Sequence, residues 1–78
     1  MRKERTKMKT LSSLFYEAYE PRQKRYKLSM RLKEKENEHT IRISQNGREI
    51  IKVTEESREQ AFNVATKELV RRFQVKHR

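Results

Sequence analysis

The chain has no cysteine and no tryptophan, one glycine, one proline and not a single aspartate. Without cysteine there is neither a disulfide framework nor a thiolate metal site, and the reducing cytoplasm is the expected compartment. The lone glycine, Gly47, excludes a glycine-rich phosphate cradle. Glu34, Glu36 and Glu38 alternate along one stretch but lack the Asp, Asn and Gly positions of a calcium loop, so they read as a solvated hairpin connection. No apolar run approaches the roughly 18 residues of a membrane span. The basic opening MRKER is not followed by an apolar segment, so no secretory signal and no membrane partner are expected.

Catalytic groups are equally scarce. His39 and His77 fall in different segments, and Ser12 and Ser13 fit the first turn of a helix with no base nearby in sequence. Catalysis needs a positioned base, nucleophile or metal. The expectation is a non-enzyme with no cofactor, no metal site and no small-molecule substrate.

What is abundant is positive charge. Lys and Arg number 21 against 11 acids, giving +10 and a pI near 10.3 in 78 residues. That length makes a single domain with a small core. That charge balance points to a polyanionic partner, nucleic acid first.

Hydrophobic spacing divides the chain. Residues 1–9 carry Arg2, Lys3, Arg5, Lys7 and Lys9 with no apolar period and read as a flexible basic arm. Residues 10–74 form the domain, and 75–78 a basic tail. Leu11, Leu14, Phe15, Ala18 and Tyr19 recur at helical steps, and Pro21 is expected to end this short helix near Glu20. PRQKR then links into a strand over RYKLSMRLK, whose alternation is unbroken. HTIRIS and REIIKVT follow as strands. Between them, Gln45-Asn46-Gly47 as a three-residue loop gathers Ile41, Ile43, Ile51 and Val53 on one face. Ser57 with Gln60 makes a capping box, and Ala61, Phe62, Ala65, Leu69 and Phe73 supply the apolar stripe of a second helix. The expected fold is α+β: a short N-terminal helix, a three-stranded antiparallel sheet, and a C-terminal helix packed on one sheet face (α-β-β-β-α).

The outward strand positions then carry the functional signal. They hold Arg25, Lys27, Arg31, Lys33, Arg42, Arg48 and Lys52 beside Ser29, Thr40, Ser44, Ile50 and Thr54, with no acid among them. A face that only keeps a protein soluble mixes both signs. In a meander, Arg22, Lys24, Arg25, Arg48, Arg71 and Arg72 gather at one end, and Glu34, Glu36, Glu38, Glu55 and Glu56 at the other. The expected nucleic-acid contacts are Arg22, Lys24, Arg25, Lys27, Arg31, Lys33, Arg42, Arg48 and Lys52. The face displays no aromatic ring, which disfavours base stacking on single strands and favours the backbone of a duplex or folded strand. Duplex DNA is preferred slightly over RNA, because a twisted sheet can enter its wider major groove. The competing expectation is a small regulatory module docking on an acidic protein surface, supported by Ile50 on the outward face and by Tyr16.

The helix, three strands, helix order over residues 10–73 resembles the double-stranded RNA-binding domain, and SREQAFNVATKEL resembles that family's second helix. There a basic pair precedes an alanine. Arg58 keeps one basic position, Glu59 takes the other, and Phe62 replaces the lysine that follows the alanine. Glu17 in LFYE matches the first-helix residue that reaches a minor groove. That resemblance implies duplex RNA bound through helices and a loop. The Alu-domain subunits of the signal recognition particle are similar in order and use the sheet face on RNA. Residues 25–73 are also similar to the arm-site-binding domains of tyrosine-family integrases, which insert a three-stranded sheet face into the DNA major groove; SREQA resembles their helix opening. The sheet-reading resemblances agree with where the charges fall.

Overall fold

Thr10 starts the first helix by turning its own hydroxyl inward: Oγ1 accepts from the Ser13 backbone N–H at 3.1 Å, satisfying one of the open donors of the first turn. In the computed structural model, which describes residues 10–74, helix α1 then runs Leu11–Tyr26. It does not stop before Pro21, and PRQKR is helix rather than linker. Proline removes one intrahelical donor, but the turn beyond it is anchored from outside. Arg22 is buried, and its guanidinium donates from Nε to the Phe73 carbonyl at 2.6 Å and from Nη1 to the Ala18 carbonyl at 2.7 Å. The Tyr26 ring packs on Phe73 with centroids 4.5 Å apart. Lys27 closes the helix in a left-handed conformation, its N–H donating to the Gln23 carbonyl.

The expected strand over RYKLSMRLK therefore begins later, because Arg25 and Tyr26 are helical and Lys27 is the cap. Strand β1 is Leu28–Lys35, β2 Glu38–Gln45 and β3 Arg48–Glu55, in the antiparallel order β1-β2-β3. Helix α2, Arg58–Arg72, opens on Ser57, whose Oγ accepts from the Gln60 N–H at 3.2 Å. The α-β-β-β-α order is thus the fold of the chain.

The turn between β2 and β3 differs from expectation. Gln45 pairs with Arg48, so the loop has only Asn46 and Gly47, both at positive φ (53° and 82°), as the tight mirror-image hairpin turn demands. A bare two-residue turn would put Lys52 on the core side. The structure avoids this with a bulge: Ser44 pairs with Glu49 and Ile43 with Ile51, leaving Ile50 as an extra residue in β3. Ile50, expected on the outward face, packs partly buried against the core. The grouping of Ile41, Ile43, Ile51 and Val53 survives by a different device.

Both helices cover the same sheet face and run in the same direction. Phe15 meets Phe62 near their starts (5.3 Å between centroids), and Tyr26 meets Phe73 at their ends. Between helices and sheet lie Phe15, Tyr19, Leu28, Ile41, Ile43, Ile51, Val53, Ala61, Phe62, Ala65 and Leu69. Phe15, Ile41, Ile43 and Leu69 are the largest wholly buried side chains, each worth about 1.5–3 kcal/mol of transfer from water. The Tyr19 hydroxyl donates to the Leu28 carbonyl at 3.2 Å, tying α1 to β1; burial pushes this phenol's pKa up. Among the described residues, no helix lies over the opposite face of the sheet.

Candidate nucleic-acid interface

The pairing register fixes what the open face presents. Arg31 lies opposite Arg42, and Arg42 opposite Lys52, so three cations form one rung straight across the sheet. Strands lie about 4.8 Å apart, which puts the outer two backbones of this rung roughly 10 Å from each other. All three side chains are exposed. On one side of the rung Lys33, Thr40 and Thr54 follow, the two threonine hydroxyls 3.1 Å apart, and beyond them Lys35 pairs with Glu38. On the other side stand Ser29, Ser44 and Glu49.

Like charges facing each other across strands destabilise a sheet. In water two unit charges about 5 Å apart repel by a little under 1 kcal/mol. The rung keeps this cost, relieved locally among the described residues by the Glu49 carboxylate, whose Oε1 lies 3.6 Å from Arg42 Nη1. Arg42 stands between two shallow depressions of the face, one bordered by Lys33, Lys35, Glu38, Thr40, Lys52 and Thr54, the other by Ser29, Arg31, Ser44 and Glu49.

Of the residues expected to touch a polyanion, Arg31, Lys33, Arg42 and Lys52 come together on this face. The others do not join them. Lys24 and Arg25 sit in the last turn of α1, and Lys27 is its cap. Arg48, opposite Gln45, belongs to the row that faces the helices. Arg22 is taken into the contact between the helices, with its donors on backbone carbonyls. The sequence reading missed Lys35, Glu38 and Glu49, and the face is therefore not free of acid. The signal for Glu49 was present: a two-residue Asn-Gly turn places it opposite Ser44.

The poles fall as the meander implied. Asn46 N–H donates to the Lys27 carbonyl at 3.3 Å, bringing the second turn beside the start of β1, and the end of α2 joins them through Phe73. Lys24, Arg25, Lys27, Arg48, Arg71 and Arg72 gather there. At the far end Glu34 does more than solvate a loop. Its carboxylate accepts from Arg58 Nε and Nη2, both at 2.8 Å, and lies 2.8 Å from His39 Nδ1. These bonds, Arg58 first and His39 second, hold its pKa down at about 2. Strand β1, strand β2 and the first turn of α2 are thereby clamped at one point.

Tyr16 remains exposed on the helical side, its ring edge-on to Phe15 at 5.1 Å. Residues 1–9 and 75–78, read as arm and tail, lie outside the described residues. No helix among those described is long and apolar enough to cross a membrane. No family model, no curated protein and no solved structure matches the chain.

Proposed function

We propose that this chain is a non-enzymatic nucleic-acid-binding domain that lays the open face of its sheet on a duplex, DNA in preference to folded RNA. The observation that carries the reading is the Arg31–Arg42–Lys52 rung, an exposed row of like charge maintained across three strands, with the Glu49 carboxylate beside Arg42. A phosphate backbone would turn that repulsion into attraction.

The form of the partner follows from size and chemistry. The outer strands stand about 10 Å apart, comparable with the roughly 12 Å width of the B-form major groove. The major groove of A-form RNA is too narrow for side chains to read. The ring-free face offers no stacking platform for single strands. A cytoplasmic location agrees with a cysteine-free chain. The competing reading, a module for an acidic protein surface, keeps Tyr16 as support but not Ile50, which packs partly buried against the core.

The test is a titration of duplex DNA, duplex RNA and single strands at two salt concentrations. With Arg31, Lys33 and Lys52 neutralising about three phosphates, the log–log salt slope should be about −2.7, so a fourfold rise in salt weakens binding roughly 40-fold. Failure to bind any of the three at low salt would refute the reading.

A further inference from the structure

Of the two acids on the face, Glu38 is paired across the strands with Lys35, whereas Glu49 lies against the central rung and fits poorly with phosphate binding alone. Glu49 is a carboxylate set among cations, where an approaching phosphate would be repelled. The nucleic-acid groups that welcome a carboxylate in the major groove are exocyclic amines, and the favoured partner of Glu is cytosine N4. Its neighbour Arg42 occupies the middle of the rung on the central strand, farthest from both sheet edges. When a sheet enters a groove, outer strands meet the phosphate walls and the central strand meets the floor, where base edges lie. Glu49 belongs to the outer strand β3, but its carboxylate lies 3.6 Å from the Arg42 guanidinium and so stands over the same floor.

Resting on the reading of this face as a duplex-binding surface, we infer that Arg42 and Glu49 together read a G·C pair in the major groove. The argument is one of matching order. Arginine presents a fork of donors and glutamate an acceptor beside it. The major-groove edge of G·C presents two acceptors, N7 and O6 of guanine, and then a donor, N4 of cytosine. An A·T pair breaks the match, since its second group is the adenine N6 donor and its far side is the thymine O4 and methyl. The separation of the two side chains suits this use. At 3.6 Å the Glu49–Arg42 contact is an ion pair too long for a hydrogen bond, so it aims the guanidinium without occupying its donors. Both side chains are about half exposed, at 49% and 43%. Arg31, Lys33 and Lys52 then hold phosphates, and Ser29 and Ser44 flank the reading pair with short hydroxyls.

The experiment is selection of binding sites by the full chain from a duplex pool with a randomised centre, followed by affinities for a selected site and its variants. Selected sites should share a G·C pair at one position, and replacing it by A·T should weaken binding about 5- to 150-fold, the range for one bidentate contact. Substituting 7-deazaguanine there removes the N7 acceptor without touching the protein, and should reproduce part of that loss of affinity. Arg42→Lys keeps the charge but loses the fork, so it should reduce the G·C preference by a larger factor than it reduces affinity for random duplex. Glu49→Gln separates the proposal from simple screening: affinity for random duplex should rise, as a negative charge is removed, while the G·C preference shrinks. Binding to random duplex with no G·C enrichment would overturn this inference alone. So would a Glu49→Gln variant that gains affinity equally for all sequences. Absence of any duplex binding would overturn the reading of the face as well.

Discussion

Arg22 and Lys52 are both basic residues expected from sequence to contact a polyanion, yet the structure buries Arg22 between the helices and leaves Lys52 exposed on the open sheet face, and replacing each by Met should separate the two. Methionine keeps much of the apolar stem and removes the charged head. In Arg22→Met the Phe73 and Ala18 carbonyls lose a charged donor held at 2.6 and 2.7 Å. Hydrogen bonds from charged groups are worth about 1.5–3 kcal/mol each, and two made by one side chain do not add fully, so the cost should be about 2–4 kcal/mol. A chain of this size has roughly 4–12 kcal/mol in total. With a urea m-value near 1 kcal/mol/M, the unfolding midpoint should fall by about 2 M or more. The salt slope of DNA binding by the folded fraction should not change. Lys52→Met should do the reverse, moving stability by no more than about 0.5 kcal/mol and making the salt slope shallower by about 0.9. Urea denaturation followed by circular dichroism, with affinities at several salt concentrations, reads both quantities. If Arg22→Met left the midpoint in place and flattened the salt slope instead, the assignment of Arg22 to the helix contact would be refuted.

Two further outcomes concern the ends of the sheet. The Glu34 carboxyl ionises near pH 2 in the fold and near 4.3 when unfolded, so its contribution is complete above the unfolded value and is lost as pH falls through about 2. Glu34→Gln should therefore flatten the decline of Tm between about pH 4.5 and 2; an unchanged profile would show that the Arg58–Glu34–His39 clamp contributes nothing. At the other end, Lys27 holds φ of 58°, a conformation that costs a side-chain-bearing residue about 1–2 kcal/mol. Lys27→Gly should gain about 0.5 kcal/mol after glycine's greater unfolded-state entropy is set against this, raising Tm by about 2–4 °C in calorimetry with the salt slope of binding unaltered.

Much of the fold was legible because the strongest periodicities lie where the core lies. Ile41, Ile43, Ile51 and Val53 alternate cleanly, and Ser57 with the stripe from Ala61 to Leu69 marks α2 at both ends. The first helix was cut short because Pro21 is a strong local stop and Arg22 reads as surface. The contrary signal was the stripe Phe15, Tyr19, Arg22, Tyr26, stepping by four, three and four straight through the proline. It becomes persuasive only once the Phe73 carbonyl is known to receive the guanidinium, a contact 51 residues away. The alternation of Arg25, Tyr26 and Lys27 was a coincidence of helix end and cap, which lengthened the apparent strand. The outward face was half legible: its central cations follow from alternation alone, but Glu49 depends on where the bulge sits. A bulge is decided by packing of Ile50 on the core, which no two-residue period contains.

That bulge also separates two properties of the sheet that are usually locked together. Normally one residue added to or removed from a strand turns every later side chain over to the other face. Here Ile50 is the surplus residue, and a chain lacking it would pair Ser44 with Glu49 and Ile43 with Ile51 just as before. Lys52 and Thr54 would stay outward, Ile51 and Val53 inward. What would change is the extra local twist and bend that a bulge adds. The curvature of this surface can thus be tuned at a single position while its pattern of charges is held constant. Shape and chemistry are set by different residues, and variants of one need not disturb the other.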